Sequence, residues 1–177
     1  PRWPKVSDVS FITTYSGDEA TPAVSHDGVQ VAFSWKKQGG RRSIYVTRSD
    51  GQDAPRQLTH GSEETVDAFP AWSPDQTQIA FVRRQGVLNG EIIVMPAQGG
   101  PERKLRDIRM GGVPAANWLT WTPDGTQIAF SSQSLESGRS TLFLMRLVDG
   151  KTQTLATPPD GVIGDASPAI SPDRKSL

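Results

Sequence analysis

The sequence has no cysteine, only two histidines and a formal net charge of +0 across its 177 residues. The absence of cysteine excludes a disulfide framework and a thiolate zinc site, and two histidines provide no histidine-based metal spacing. The balanced charge argues against nucleic acid or an anionic membrane surface as the main partner. No apolar run approaches the ~20 residues of a membrane-spanning helix, so we expect no membrane insertion by this chain. The composition does not decide between an oxidising and a reducing compartment, since cysteine-free chains occur in both.

A short block recurs along the chain. It reads PAWSPDQTQIAF at positions 70–81, LTWTPDGTQIAF at 119–130 and PAVSHDGVQVAF at 22–33, and a further copy begins at Pro168. Within the block, proline presets φ for a tight turn and the following aspartate can bond its own backbone. The turn aspartates Asp27, Asp75, Asp124 and Asp173 are separated by 48, 49 and 49 residues. The sequence therefore predicts a repeat protein.

Each full repeat contains four strand candidates and no sustained helical period. They lie at 23–25, 30–34, 43–47 and 55–59, at 71–73, 78–82, 91–95 and 102–106, and at 120–122, 127–131, 141–146 and 152–156. Four short antiparallel strands per repeat of this length indicate a β-propeller blade. We therefore predict an all-β fold with three complete blades, partial flanking strands and almost no helix.

The repeat register also divides the chain. We predict a linker at 1–8 and a partial propeller at 9–177, with blades at about 20–66, 67–115 and 116–164 and the start of a fourth at 165–177. Residues 9–13 are expected to form the last strand of a preceding unit. Because a four-stranded sheet cannot bury both faces alone, positions such as Ile79, Phe81, Ile93 and Phe143 should supply a core between blades. The indoles of Trp72 and Trp121 should fill the gap between neighbouring blades.

The recurring block, a later Ile-Tyr-Val strand at 44–46, an Asp-Gly turn and a Leu-Thr strand resemble the TolB-type, WD40-like propeller repeat over nearly the whole chain. Such repeats are found in TolB, in propellers of prolyl-oligopeptidase-like and tricorn-type peptidases, and in large bacterial sensor proteins. The segments GGPERKL at 99–105 and PPDG at 158–161 most resemble the sensor group. The resemblance implies a fold and leaves the function open, because one fold hosts many functions.

Three blades are fewer than the roughly four to eight that close a propeller. A lone arc of this kind is expected to expose two sheet faces. Because the chain starts at Pro1 and stops within a repeat, we expect either that it is part of a longer protein or that two copies complete each other as a homodimer.

Neither histidine predicts catalysis. His26 occupies the turn position held by Pro74 and Pro123 in the other repeats, and His60 follows a strand in a loop. No nucleophile elbow or Ser/His/Asp set can be assembled. The segment 50–53, DGQD, resembles the start of a calcium loop, but no glutamate completes that pattern, so it is interpreted as a hairpin turn. We expect a chain without catalytic residues, metal ligands or cofactor.

Acidic residues recur three positions before the prolines Pro22, Pro70 and Pro168, which precede the inner strands. Glu19, Asp67 and Asp165 hold this position, and the third repeat has Ala116 with Asn117 beside it. In a propeller these connections surround the mouth of the central channel, where repeated acids would focus a negative potential. One interpretation is a mouth that binds a cationic ligand, a metal ion or a basic peptide. The other, which we favour from sequence, is that each acid caps its own loop.

The variable loops between second and third strands should open on the same face. They carry aromatic and basic side chains that could contact a partner: Trp35, Arg41, Arg42, Arg83, Arg84 and Arg139. A tryptophan beside basic residues is typical of a binding hot spot. The alternative is an indole lying on its own blade and solvated loop cations.

The function predicted from these observations is non-catalytic recognition of a protein, a peptide or a small ligand. The resemblance implies a bacterial sensory, regulatory or envelope protein in the periplasm or another extracytoplasmic compartment, although the residues alone are also compatible with the cytoplasm. The alternative is the substrate-gating propeller of a prolyl-oligopeptidase-like or tricorn-type peptidase. A third hypothesis is a structural scaffold that binds no ligand.

Overall fold

The computed structural model describes residues 12–110, 118–134, 138–156 and 167–171. Every regular element in these ranges is a β-strand, and none of the described residues forms a helix long and apolar enough to cross a bilayer. The twelve strands are β1 Gly17–Val24, β2 Gln30–Lys37, β3 Arg42–Arg48, β4 Arg56–Gln57, β5 Thr65–Trp72, β6 Gln78–Gln85, β7 Asn89–Pro96, β8 Arg103–Arg109, β9 Leu119–Trp121, β10 Gln127–Gln133, β11 Ser140–Arg146 and β12 Thr152–Ala156.

The strands form three separate four-stranded sheets, each with the order of the chain. Blade 1 is β1-β2-β3-β4, blade 2 is β5-β6-β7-β8, and blade 3 is β9-β10-β11-β12. All neighbours pair antiparallel. The predicted architecture of consecutive four-stranded antiparallel blades is therefore confirmed.

The innermost strands of blades 1 and 2 are longer than the sequence predicts. β1 and β5 begin at Gly17 and Thr65 rather than at 23 and 71, because a bulge interrupts the alternation on which the prediction depended. At the bulge Thr21 and Phe69 adopt positive φ values of 50° and 56°, each directly before a proline. The hydroxyl of Thr21 accepts a hydrogen bond from the backbone N–H of Phe69 at 3.1 Å, which joins the bulges of neighbouring blades.

The outermost strand of blade 1 is shorter than predicted. β4 covers only Arg56–Gln57 rather than 55–59, whereas β8 runs from Arg103 to Arg109 rather than over 102–106. Beyond β4 the Oγ1 atom of Thr59 accepts from the backbone N–H of Ile44 at 2.9 Å, so a side chain replaces a backbone partner. Of the strand predicted at 9–13, residues 12 and 13 are not in a strand, and the rest lies outside the described residues.

Apolar side chains alternate between the two faces of each blade, as the pleat requires. In β6, Ile79 and Phe81 join a core cluster with blade 1, while Ala80 and Val82 join a second cluster with blade 3. All four are fully buried. Ile93 belongs to the first cluster, and Phe143 packs against the second. The predicted core between blades is confirmed.

Two indoles link successive blades near the centre. Nε1 of Trp72 donates to the carbonyl oxygen of Ala23 at 3.0 Å, and Nε1 of Trp121 donates to that of Ala71 at 3.0 Å. Each tryptophan on one inner strand thus bonds the inner strand of the preceding blade while its ring fills the gap. In blade 1 the corresponding residue is Val24, whose side chain is exposed.

The leading face of blade 1, which points away from blade 2, is not exposed as expected for an open arc. Val31, Phe33, Trp35 and Tyr45 are all buried there. The ring of Tyr15 packs on that of Trp35 with centroids 5.5 Å apart. The expectation of an exposed sheet face is therefore wrong for these four side chains, and Tyr15, which precedes β1, covers the Trp35 ring.

The turn between first and second strands repeats the same hydrogen-bond pattern. In blade 2 the Ser73 hydroxyl donates to Oδ1 of Asp75 at 2.6 Å, and the same oxygen accepts from the Thr77 N–H at 3.1 Å. The other blades repeat it with Ser25, Asp27 and Val29, and with Thr122, Asp124 and Thr126. Bonds from the Ser73 hydroxyl, the Thr77 backbone and the Thr77 hydroxyl lower the pKa of Asp75.

The lowered pKa of Asp75 predicts how the free energy of unfolding depends on pH in the acid range. A pKa lowered in the folded state gives stability that is present above the ordinary aspartate pKa of about 3.9 and is lost as pH falls through the folded value. Replacing Asp75 with asparagine should therefore flatten the dependence of unfolding free energy on pH between about 5 and 2. Chemical denaturation across this range measures it. Ser73→Ala should flatten it partly, and an unchanged slope in both variants would contradict this account of the turn.

Candidate functional site

Asp67 lies at the centre of a buried ion-pair network. It sits on β5 with a fully buried side chain, directly across from Arg83 on β6. Nε of Arg83 donates to Oδ1 of Asp67 at 2.7 Å and Nη2 donates to Oδ2 at 2.9 Å. The guanidinium also pairs with Glu102 at 2.5 Å. The bonds to Asp67 raise the pKa of Arg83 above its ordinary value.

A second arginine reaches Asp67 from the preceding blade. Arg41 belongs to the loop between β2 and β3, and its Nη2 lies 3.4 Å from Oδ2 of Asp67. Its remaining donors bond the carbonyl of Ser62 at 2.9 Å and the hydroxyl of Ser43 at 3.1 Å. The network therefore balances two cations against Asp67 and Glu102, and it joins blade 1 to blade 2. Because its groups bond one another, it is a clamp between blades rather than an open site.

Several residues predicted in exposed loops lie on strands. Trp35 is in β2 and buried, with its ring 4.9 Å from that of Tyr45. Arg42 is in β3, where it pairs with Asp18 and donates to the Ser34 hydroxyl at 3.0 Å. The loop prediction is wrong for these residues because β2 and β3 extend beyond the segments in which apolar residues alternate.

The close packing of Trp35 also explains a glycine. A Cβ atom at Gly17 would lie 2.5 Å from Nε1 of Trp35 and 2.4 Å from the carbonyl oxygen of Lys36. Gly17 has a φ of 138°, so its place at the start of β1 requires a residue without a side chain. The ammonium of Lys37 lies 4.7 Å from the centre of the Trp35 ring and covers it.

The other residues predicted for the blade loops and the channel mouth lie in different parts of the structure. Arg83 and Arg84 lie on β6 rather than in the following loop, and Arg139 lies in the loop just before β11. Nε of Arg84 is buried without a hydrogen-bond partner in the described part of the chain. Asn117 and Asp165 lie outside the described residues. The structure thus brings Asp67, Arg41 and Arg83 together and places Glu19 elsewhere.

Glu19 lies on β1 at the position that Asp67 occupies on β5, but its surroundings differ. Its side chain is exposed, and the Thr13 hydroxyl donates to its carboxylate. No lysine, arginine or histidine pairs with Glu19 among the residues that the structure describes. A groove of about 360 Å³ opens beside it, with apolar walls from Ile12, Ala20, Pro22, Val31 and Phe33.

A second groove of about 530 Å³ lies at the other end of blades 1 and 2. Its charged groups bond protein atoms already. Arg56 donates to the carbonyl oxygens of Gln98 and Ala97 at 3.0 and 3.3 Å, and Arg48 pairs with Asp50 at 2.7 Å. This groove therefore offers less unsatisfied charge to a ligand than the groove beside Glu19.

Neither histidine belongs to a metal-binding cluster in the part of the chain that the structure describes. Within ranges 12–110, 118–134, 138–156 and 167–171, no three His, Cys, Asp or Glu side chains are arranged to hold a metal ion. His26 lies in the turn after β1 and His60 in the segment after β4. Asp50 accepts from the backbone N–H of Gln52 at 3.1 Å, as in a hairpin turn.

The clamp between Arg41 and Asp67 was missed by the sequence prediction, although the sequence contains a signal for it. Aligning the third strands places Arg41 at the position of Asn89 in blade 2 and Arg139 in blade 3. The repeats that follow Arg41 and Arg139 carry an acid three residues before the inner proline, whereas the repeat after Asn89 carries Ala116. Basic and acidic positions of consecutive repeats thus vary together.

Comparison with known families gives a match over most of the chain. The model of the TolB β-propeller domain matches residues 5–173. An uncharacterized peptidase of Bacillus subtilis, YuxL, is 35% identical over 140 residues, which are 75% of this chain and 19% of that protein. An uncharacterized protein of Agrobacterium fabrum is 29% identical over 171 residues, which are 96% of this chain and 52% of that protein. The chain thus spans from about a fifth to about half of these relatives.

Solved structures agree on the fold. TolB from Acinetobacter baumannii superposes with a TM-score of 0.67 at 21% identity, over 93% of this chain and 38% of that chain. The β-propeller domain of the Trilobed protease from Pyrococcus furiosus superposes with a TM-score of 0.60 at 17% identity, over 81% of this chain and 44% of that chain. At these identities the similarity concerns the arrangement of blades only.

Proposed function

The chain belongs to the TolB β-propeller domain family, and from this premise we propose that it is a non-catalytic module that binds a protein or peptide segment. The observation that carries the proposal is the groove beside Glu19. There an exposed carboxylate faces about 360 Å³ of largely apolar space and bonds only the Thr13 hydroxyl among the described residues. A concave apolar surface with a few polar groups is typical of a binding site.

The contrast between the acids of blades 1 and 2 supports this location. Asp67 is fully buried and saturated by Arg41 and Arg83, so it has no capacity left for a ligand. Glu19 keeps its charge at the surface. Of the predicted acids that the structure describes, Glu19 is therefore the one that we propose for recognition.

The setting proposed for this module is a bacterial sensory, regulatory or envelope protein in the periplasm or another extracytoplasmic compartment. The family supports this, since one of the similar structures is a TolB. A homodimer in which two arcs complete each other stays a proposal as well. The buried leading face of blade 1 reduces the apolar area that such a dimer would cover.

A second candidate function is the substrate-gating propeller of a peptidase, with the catalytic groups outside this chain. The observation that favours it is the 35% identity to YuxL, a protein described as an uncharacterized peptidase. An α/β-hydrolase segment in the gene that encodes this chain would support it. A winged-helix or kinase segment would instead support the sensory function.

The proposal of a binding module predicts saturable peptide binding without turnover. Short synthetic peptides of basic, neutral and acidic composition should be titrated against the chain by fluorescence polarisation, followed by mass spectrometry of the recovered peptides. We expect at least one class to bind and every peptide to keep its mass. If no peptide bound, the scaffold hypothesis would be favoured, and cleavage of a peptide would contradict the non-catalytic assignment.

A further inference from the structure

We propose that the groove beside Glu19 accepts the guanidinium group of an arginine side chain from a partner polypeptide. The inference rests on the proposed function, because it assumes that this chain binds a protein segment. It adds the chemistry of the contact: an arginine bonds the carboxylate through its guanidinium and lays its stem along the apolar wall.

The repeat register makes Glu19 the counterpart of Asp67. Each residue lies on an innermost strand two positions before a bulge residue of positive φ, Thr21 or Phe69. Each also faces the corresponding residue of the second strand, since Glu19 pairs with Trp35 and Asp67 with Arg83. The two carboxylates therefore occupy the same place in consecutive blades.

The partners of Asp67 show what this place accepts. One cation comes from its own blade, with Nε of Arg83 at 2.7 Å. The other, Arg41, is delivered by the blade before it, with Nη2 at 3.4 Å. At Glu19 the position of Arg83 is occupied by Trp35, and in the described ranges no arginine approaches from the leading side. Among the residues that the structure describes, the carboxylate thus has neither of the cations that its counterpart has.

The walls of the groove fit an arginine in particular. In blade 2 the guanidinium carbon of Arg83 lies 5.5 Å from the centre of the Phe81 ring. Phe33 is the counterpart of Phe81 and lines the groove together with Val31 and Ile12. An arginine here could bond the Glu19 carboxylate through two N–H groups of its planar guanidinium, a geometry that the compact ammonium of lysine cannot reproduce, while its stem lies along the apolar wall.

The chain itself provides a probe for this chemistry. Residues 38–45 form the segment that delivers Arg41 to Asp67. A synthetic peptide of this sequence carries the arginine in the context that blade 2 recognises. A control peptide with Arg41→Gln and Arg42→Gln removes the guanidinium groups, and a second control replaces both with lysine.

The experiment titrates these peptides against the chain by NMR, following the indole N–H signals, since Trp35 pairs with Glu19 in register. We expect the arginine peptide to bind and its affinity to fall about tenfold or more with Glu19→Gln, because a charge-assisted bond is lost. The lysine peptide should bind several-fold more weakly, and the glutamine peptide at least as weakly as the lysine one. Asp18→Asn is the matched control, because Asp18 is a neighbouring exposed acid that already pairs with Arg42.

The outcomes separate this inference from the function on which it rests. If the arginine peptide bound wild type and Glu19→Gln equally, or if only neutral or acidic peptides bound, the arginine site would be overturned while the binding function stood. If no peptide of any class bound, both would fail. Concentration-dependent self-association that Glu19→Gln removes, measured by light scattering, would support the site and identify a second copy as the source of the arginine.

Discussion

Replacement of Asp67 by asparagine is expected to lower the free energy of unfolding by about 3–5 kcal/mol. The substitution keeps the size of the side chain and removes its charge. Arg83 and Arg41, whose side chains are only 12% and 17% exposed, would then carry an excess positive charge in a region that water hardly reaches. Breaking one member of a buried ion pair is costly because the remaining charge has lost its solvent and its partner.

Denaturant titration of the wild type and the variant measures this loss. The control is Asp18→Asn, which removes a carboxylate that also pairs with an arginine but is 69% exposed. An exposed pair contributes about 0–1 kcal/mol, so this control should be nearly as stable as the wild type. Equal effects of the two substitutions would show that the network around Asp67 is not a buried clamp.

Truncation of either inter-blade indole should have an effect of similar size. We expect Trp72→Ala and Trp121→Ala each to cost about 3–5 kcal/mol, the range for removing a large buried aromatic side chain. Both residues are 6% exposed, and each loses a hydrogen bond of 3.0 Å to the preceding blade together with its packing. The carbonyl oxygens of Ala23 and Ala71 would also be left without these donors.

The repeat provides a matched control for the indoles. Val24 holds the same register in blade 1 and is 58% exposed, so Val24→Ala should change stability by less than about 1 kcal/mol. Thermal or denaturant unfolding of the three variants gives the comparison. A loss at Val24 as large as that at Trp72 would contradict the interpretation that these indoles connect blades.

Much of the fold could be predicted because it depends on local signals that recur. The Pro-Asp and Asp-Gly turns, the alternation of Ile79 and Phe81, and the repeat spacing act at short range and agree with one another. A single copy of the block would be ambiguous. Several copies in register predict neighbouring strands, their order and the side chains that face the next blade.

The strand boundaries could not be predicted in the same way. A bulge at Thr21 and Phe69 shifts the alternation by one residue, so the earlier halves of β1 and β5 do not show the pattern of their later halves. β2 and β6 also extend further than the sequence predicts, so Trp35 and Arg83 lie in strands rather than in the following loops. Their burial depends on contacts with the neighbouring strand and blade, which no local pattern contains.

The candidate site was predicted in part. Repetition identified Glu19 and Asp67 as equivalent acids, but which one is neutralised depends on side chains from other strands. Arg83 follows Asp67 by 16 positions and Arg41 precedes it by 26, so their meeting requires the blade and its neighbour to be folded. The distinction between a structural carboxylate and an available one is therefore a property of tertiary structure.

The most direct test of the account is an experimental structure of the chain with the peptide of residues 38–45 bound. We predict an arginine guanidinium within hydrogen-bonding distance of the Glu19 carboxylate, with its stem against the apolar wall of the groove and the Asp67 network unchanged. A peptide seated in the groove of Arg48 and Arg56, or one that displaces Arg41 from Asp67, would contradict the claim that the groove beside Glu19 is the recognition site.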